Sequence, residues 1–533
     1  MNRSAIAALM ATSALLLAAC TGTGQQQGQS GNQEFVEDAT FTMSLSGDPG
    51  ALAPATAVQG TTNLLLSFAY DTLVYIGKNG RLVPGLAESW EVKPKSVEFT
   101  LNPDATCSDG SPVTPSVVAD SINYTVDPKT GSPLLGVLIP ADLSAEADDQ
   151  AGTVTLQTKE PSQFLLHSTV AMFIMCGEGL EDPSVMDEST SGSGPYRLTE
   201  AVPNDHYTLK ARPGYTWGPE GTATSDPGVP ETVVLRVVTN ESTAANLLLA
   251  GDLNAATFTG ADRERVANAP DILTKLQPAG NGEFWYNQKP GLPGSDPAVR
   301  EALTTALNLQ EQANISTQGT GVKSTGMTTL SPRPCRVDSV SGHRPAHDPE
   351  AARAMLDQAG WTVGAGGVRT KNGQQLSMRI LYNTDYGPGV KAEAEFMADA
   401  WEQIGVASQI KPTAGGAFSD ALFSTGDWDV ATVPVGVSLP SQLLGYVSGP
   451  PVPEGSNFAG IENAEYDRLA KRAATIPIDE GACEVWAQAE SALFDDFDVV
   501  PVVEYTQMLA SNGASVVIPG GLAQPTKFRM LRE

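Results

Sequence analysis

Apolar positions along the chain switch between two spacings, and no segment repeats at a fixed interval. Alternation marks half-buried strands, whereas spacings of three and four mark the buried face of a helix. Residues 41–45 alternate and stop at Gly47-Asp48-Pro49-Gly50, a strand running into a loop. Residues 63–74, beginning at Asn63, carry an apolar face at helical spacing. Val97, Phe99 and Leu101 share one face of a strand over 96–101, which leads to a loop with Cys107 and Asp109-Gly110-Ser111-Pro112. Thr114 stands where a helix N-cap belongs, with Pro115 at the first helical position and Val117, Val118 and Ile122 turned inward. Strands follow at 153–158 and 232–238, and a helix containing Leu247 and Leu249 ends with Gly251 at C′.

The second half is punctuated more sharply. Asp296-Pro297 pairs a cap with a proline at the first helical position, and Val299, Leu303, Ala306 and Leu307 form the buried stripe. Asp348-Pro349 repeats the device before Ala351, Ala352, Met355 and Leu356, with Gly360 ending the helix. A strand is expected over 378–382, helices over 390–404, 466–474 and 483–494, and a strongly apolar strand over 499–503. Asp495, Asp496 and Asp498 read as solvated charge at a helix end. The class is α/β or α+β, with the last strand available to rejoin an earlier sheet. Periodicity does not order the strands.

The start of the chain follows another logic. Arg3 precedes a largely apolar run over residues 5–19. A membrane span takes roughly 20 residues, so the run suits the hydrophobic region of an export signal. It closes on Leu17-Ala18-Ala19-Cys20, which resembles the bacterial lipobox, where a cysteine accepts a diacylglycerol. Residues 21–33 (TGTGQQQGQSGNQ) have no aliphatic or aromatic side chain with which to offset their ordering entropy, so a flexible leash is expected. The body is therefore expected on the extracytoplasmic face of the cell membrane, held there by lipid.

Composition narrows the partners. The 533 residues carry 61 acidic against 32 basic side chains, a formal charge of −29. Nucleic-acid binding draws on clustered Lys and Arg, and no such cluster appears. The same balance disfavours electrostatic docking on anionic lipid. The length suits roughly two or three domains. With Cys20 set aside, Cys107, Cys176, Cys335 and Cys483 remain. An even number in an exported chain suggests two disulfides, with three connectivities open. Loop entropy makes each worth about 4–5 kcal/mol before strain. There is no C-x-x-C pair, and His167, His206, His343 and His347 do not group with the cysteines, so no structural zinc or other metal is expected.

Several segments, in order, then point to a family: 82–90 (LVPGLAESW), 107–122 (CSDGSPVTPSVVADSI), 192–198 (GSGPYRL), 214–218 (GYTWG), 242–256 (STAANLLLAGDLNAA), 347–361 (HDPEAARAMLDQAGW), Asn457-Phe458-Ala459-Gly460, and the apolar 499–503 before Glu504-Tyr505. Together they resemble the extracytoplasmic solute-binding proteins of the peptide/nickel type (family 5), the receptors of ABC importers, over about residues 39–530. Most of these residues read as scaffold, with Trp90 and Trp217 filling cores. The resemblance implies an α/β, two-lobed periplasmic-binding-protein-like fold of cluster C type, with an inserted subdomain in lobe I. Mapped here, 36–76, 195–285 and 500–533 would build lobe I, 77–194 the subdomain, and 286–499 lobe II, after a signal over 1–20 and a linker over 21–35. It also favours Cys107–Cys176 and Cys335–Cys483, since each pair then stays within one lobe. Glu283-Phe284-Trp285-Tyr286-Asn287 would lie near one crossing between lobes and 499–505 near the other.

Peptide binders of this family usually capture the ligand's α-amino group with an aspartate just after a (F/W)-D-(V/L)-A strand. Asp427-Trp428-Asp429-Val430-Ala431 matches the strand, but residues 432–440 contain no acid. A buried ammonium without a carboxylate is costly. The candidate ligand contacts are Asp48, Asn63, Trp285, Asn287, Gly436, Ser438, Phe458 and Glu504, with Glu504 or Asp48 as substitutes for the missing acid. A nickel chelate would need His206, His343 or His347, each more simply a surface-loop residue. Haem, opines and sugars stay open as solutes.

No G-x-S-x-G elbow, Walker loop or H-E-x-x-H occurs, and Gly364-Ala365-Gly366-Gly367 lacks the strand-to-helix context of a phosphate loop. With so many acids, neighbouring carboxylates arise by chance and define no glycosidase pair. The expectation is a monomeric, non-enzymatic receptor without cofactor. It would close over a small peptide or peptide-like solute and pass it to an ABC permease in the membrane. The alternative is a surface lipoprotein with a scaffold or signalling role.

Overall fold

Phe41, Met43 and Leu45, expected on one face, are all buried on a strand, β1 (Thr40–Leu45). In this computed structural model, which describes residues 34–532, β1 belongs to an eleven-stranded sheet. The export signal, Cys20 and the leash lie outside the described residues. The remaining strands are β2 (Tyr196–Val202), β3 (His206–Ala211), β4 (Thr232–Val237), β5 (Ala255–Phe258), β6 (Ile272–Tyr286), β7 (Val322–Lys323), β8 (Ser377–Asn383), β9 (Ala407–Thr413), β10 (Val430–Thr432) and β11 (Val499–Asn512). Their order is β9-β8-β10-β6-β11-β5-β1-β4-β3-β2, and β7 pairs with β11.

Two long strands connect the halves of this sheet. β6 and β11 pair antiparallel from Ile272↔Asn512 to Trp285↔Val499. At one end β5 pairs with β11 through Phe258↔Met508, and β1 and β4 continue the sheet in parallel. At the other end β10 pairs with β6 through Phe284↔Thr432, and β8 and β9 continue it. Between the halves the ladder shifts register at Pro278/Gly280 and again at Gly282/Glu283. Pro278 cannot donate a ladder bond, and Gly280 holds φ +131, where side chains are strained. The interruption is thus written into those residues, and bulges of this kind bend and twist a ribbon.

Each half buries its own core. In the β1 half, Phe41, Leu65, Leu209, Leu235 and Phe528 pack together, and the Phe41 and Phe528 rings meet edge-on at 5.1 Å. The β8 half has a cluster on each face of the sheet. Phe284, Leu303, Ile380 and Trp401 fill one, and Trp285, Trp428, Phe458 and Trp486 fill the other. Strand alternation along β6 explains why Phe284 and Trp285 part company. A further core, with Val97, Phe99, Ile122, Val154 and Leu156, belongs to a small antiparallel sheet ordered Ala87–Lys93, Ser96–Leu101, Thr153–Gln157, Ser144–Asp148. Its helix, Pro115–Val126, starts as expected, with Thr114 Oγ1 accepting from Val117 N at 3.3 Å. Tyr215 and Trp217, from the segment that leads into β4, pack into the core of this inserted unit and, with Tyr75, donate to the buried Asp71 carboxyl. The unit also touches the β8 half. There the Gln163 amide donates to Ala473 O and Ile476 O and accepts from Trp486 Nε1 at 2.9 Å. The disulfides are Cys107–Cys176 and Cys335–Cys483, the expected pairing.

Several expectations need correcting. The helix expected at 63–74 runs from Gly60 to Ala69, and Val74 opens a short strand, Val74–Ile76. Strand β11 extends well past 503 to Asn512. Phe284 and Trp285, placed at the end of lobe I by the sequence mapping, pack in the cores of the β8 half, as do Val500 and Val502, so the passage between halves falls at the register shifts. Trp90 is only half-buried, whereas Trp217 is buried. Asp498 is not solvated. It is 3 % exposed and accepts from Arg300 Nη2 at 3.1 Å, Asn463 Nδ2 at 2.8 Å and Gln288 Nε2 at 3.0 Å. A helix end hid it because the chain turns inward directly after Asp496.

Breaking a buried ion pair from one side leaves the other charge uncompensated. Arg300→Met should therefore lower the free energy of unfolding by about 3–5 kcal/mol. The double variant Arg300→Met/Asp498→Leu should recover most of that loss in urea titrations.

Candidate functional site

Strand direction locates the site. β1, β4 and β5 run parallel to one another and antiparallel to β11, so their carboxyl ends point toward the β8 half. β8 and β10 run parallel to each other and antiparallel to β6, so theirs point back toward the β1 half. Both sets of carboxyl ends face the stretch where β6 and β11 shift register. Crevices outside the carboxyl ends of parallel strands are where open α/β sheets bind ligands.

Polar side chains line this crossing. Glu504 on β11 accepts from Thr325 N at 3.0 Å and Thr325 Oγ1 at 2.7 Å, and its other oxygen lies 3.6 Å from Arg333 Nη1. Arg333 Nη2 donates to Thr325 Oγ1 at 2.8 Å, while its Nε is buried without a partner. Opposite Glu504, Asn281 of β6 donates through Nδ2 to Met327 Sδ and accepts from Ser324 Oγ. A second carboxylate, Glu490, takes Met327 N at 3.1 Å and Ser339 Oγ at 2.6 Å. The irregular segment after β7 is thus tied down by two acids and by the Cys335–Cys483 bridge.

Next along β6, Glu283 is 2 % exposed and accepts from Val435 N at 2.7 Å through Oε1, and Oε2 has no partner. Burial drives its carboxyl well above the ordinary range, against the opposing pull of the Val435 N–H. On the other face, burial pushes Glu393 up to about 7, although Gln312 Nε2 donates to it at 2.8 Å.

The predicted residues scatter around this frame. Asp48, in the loop after β1, accepts from Gly50 N, Asn204 N and Tyr207 Oη, so its oxygens serve the loop. Burial alone would raise its pKa, but those donors outweigh it and hold the group below its usual range. Asn63 is half-buried in the first turn of the Gly60–Ala69 helix. Gly436 is exposed beyond β10, and Ser438 donates to Gln442 Oε1 through N and Oγ. Glu504 lies at the crossing but is engaged by Thr325 and Arg333. Trp285 is fully buried and donates to Val433 O, and Phe458 stacks against it at 5.0 Å in the same core. Asn287 is fully buried beside the amino end of β10, bound to Trp428 O and Asp429 O, at the far end of the strands from the crossing. Glu283 was expected near a crossing between lobes but not among the candidate contacts, and neither Asn281 nor Arg333 was expected there. Only the aromatic run after Glu283 marked the place, because a lone acid in an apolar strand resembles a register error until its partner is known.

No group of three or more His, Cys, Asp or Glu among the described residues is arranged to hold a metal. His206 pairs with Glu200 and Asp205, and His343 with Asp495 at 2.8 Å. Among the described residues no helix is long and apolar enough to cross a membrane.

The family model described as "Bacterial extracellular solute-binding proteins, family 5 Middle" matches residues 81–446. The periplasmic oligopeptide-binding protein OppA of Haemophilus influenzae is 25% identical over 473 residues, covering 82% of each chain. The periplasmic murein peptide-binding protein MppA of Escherichia coli is 25% identical over 488 residues, covering 86% of each. A substrate-binding protein from Microbacterium hydrocarbonoxydans, solved in complex with 4-hydroxybenzoate hydrazide, superposes with a TM-score of 0.71 at 26% identity, covering 92% of this chain and 100% of that one.

The raised Glu393 carboxyl has a consequence for stability. Between its ordinary value of 4.5 and about 7, the folded chain holds a proton that the unfolded chain releases. Its contribution is complete below the lower value and fades as pH rises through 7. Glu393→Gln should remove this downward slope in chemical denaturation curves and exceed the wild type in stability at about pH 8.

Proposed function

Because the chain belongs to the bacterial extracellular solute-binding proteins, family 5, we propose that it is an ABC-importer receptor binding peptides or peptide-like solutes in a cleft over the crossing of β6 and β11. The observation that carries this reading is the convergence of two opposed sets of strand carboxyl ends on one crossing. The β1 half, with 36–76, 195–282 and 504–533, is lobe I, 77–194 is its inserted subdomain, and the β8 half, with 283–503, is lobe II. A ribbon of two strands interrupted by register shifts suits a hinge, since few residues need to change conformation for the lobes to separate. OppA and MppA are named for oligopeptides and murein peptides, and the Microbacterium protein is described with a small acyl hydrazide. Amide-bearing solutes are the chemistry these share. Cys20 carries the lipid that holds the receptor at the extracytoplasmic face, and the ABC permease takes the released solute.

Ligand binding to the folded state alone raises stability by about 2.7 kcal/mol at a hundredfold excess over Kd. Pools of di- to pentapeptides should accordingly raise Tm by a few degrees and reduce the radius of gyration in small-angle scattering. Folded protein whose Tm answers to no pool would refute the peptide reading. Cys20→Ser should move the protein from the membrane fraction to the soluble fraction of an expressing bacterium.

A further inference from the structure

The other strongly buried carboxylates at the crossing and in the cores have polar partners on the same chain. Asp71 has two phenols and an indole, Asp429 has Arg379, Asp498 has Arg300, and Glu490 has Met327 N and Ser339 Oγ. Glu504 has Thr325 and Arg333. Glu283 differs. Among the described residues it holds the one carboxylate oxygen that is buried without a partner, and no Lys, Arg or His forms an ion pair with it. Trp285 and Asn281 lie close enough to oppose the rise of this carboxyl, but their N–H groups point to Val433 O and Met327 Sδ. A buried carboxylate oxygen left bare is costly, so a site of this kind calls for a donor from outside the chain.

Position adds a second, independent argument. Glu283 is the β6 residue next to the register shift, at the end of the sheet where β10 presents its carboxyl end. Its Oε1 is fixed by Val435 N, within the irregular segment that leaves β10. Two residues on, Val437 O accepts from Thr329 N, and Thr329 Oγ1 is itself buried without a partner. A carboxyl oxygen and a hydroxyl, both without partners, therefore attach to the same short stretch, Val435 to Val437. An ammonium or guanidinium, with three or five N–H donors and no acceptor, matches that pair. An anionic group does not, and a neutral amide brings no charge to ionise a carboxyl that burial favours as protonated.

We propose that Glu283 receives the positively charged group of the bound solute, its Oε2 accepting from an ammonium or guanidinium while Thr329 Oγ1 accepts a second N–H. The proposal rests on the receptor reading above and makes the solute class cationic. It also assigns the acid that residues 432–440 lack to the neighbouring strand. Val435 N donates to the Glu283 carboxylate from inside the very segment whose sequence has no acid.

The test is calorimetric titration of the full chain with trialanine, N-acetyl-trialanine, N-acetyl-Ala-Arg-Ala and the non-peptide guanidinium agmatine. The first and third separate an α-ammonium from a side-chain cation. Wild type should bind at least one cation-bearing probe about 10- to 100-fold more tightly than N-acetyl-trialanine, and Glu283→Gln should abolish that preference. Thr329→Val should weaken the same probe about threefold to tenfold with Glu283 still in place. An unliganded Tm for Glu283→Gln at or above that of wild type establishes that its loss is not unfolding. Equal affinity for charged and acetylated peptides, or a preference that survives Glu283→Gln, overturns the assignment while the peptide reading stands. Agmatine binding lost in Glu283→Gln without any peptide binding upholds Glu283 and overturns the peptide reading. Failure of every cation-bearing probe overturns the assignment.

Discussion

One hydrogen-bonded ribbon carries this molecule. β6 and β11 are the only strands among the described residues that contribute to both halves of the large sheet, and each half completes its hydrogen bonding on one of them. Their antiparallel pairing fixes the register of β5 with respect to β10, although those strands never meet. It also fixes which strand ends face each other. Reversing either ribbon strand would turn one set of carboxyl ends outward and dissolve the site. The register shifts at Pro278 and Gly282 are the permitted exception, because a ladder broken in the middle leaves both ends paired.

Around that ribbon, burial of charge is handled in two ways. In the cores, acids are matched by their own chain, as Asp498 is by Arg300, Asn463 and Gln288. At the crossing, matching is incomplete, with a carboxylate oxygen on Glu283, a hydroxyl on Thr329 and Nε of Arg333 all buried without partners. Other hydroxyls and ring nitrogens are buried without partners elsewhere, among them Thr305 Oγ1 and Trp428 Nε1, but among the described residues the bare carboxylate oxygen is at the crossing. A buried carboxylate oxygen without a partner is costlier than a bare hydroxyl, so its place in the fold needs a cause.

The elements fixed by local chemistry were legible from the sequence. Thr114, Asp296 and Asp348 cap the helices they were expected to cap, each accepting from a backbone N–H in the first turn. The alternating runs at 41–45, 96–101 and 378–382 are strands, and the two disulfides join the expected partners. What could not be read depends on distant pairing. β6 carries proline and glycines that argue against a long strand, and only its pairing with β11 makes it one. Asp498 looked solvated because its arginine lies on a helix far away in sequence. Aromatic residues such as Trp285 and Phe458 drew attention as ligand contacts, yet their size makes them core fillers. The acid with a free oxygen, Glu283, lies on β6, one strand over from the β10 segment in which relatives carry theirs.

The meeting of Phe41 with Phe528 bears on how the chain is made. Val36 N donates to Met530 O, so the ends of the described chain are joined as well as packed. A ribosome releases β1, β5 and β6 long before β11 exists. Until the last strand arrives, β5 and β6 each present an open edge, since both are paired through β11. Open edges of this kind recruit other strands and invite aggregation. The cores of both halves take side chains from β11, Val499, Val500 and Val502 in one and Leu509 in the other, so both wait for the final segment. A premature stop anywhere before β11 therefore leaves the large sheet in two unjoined pieces.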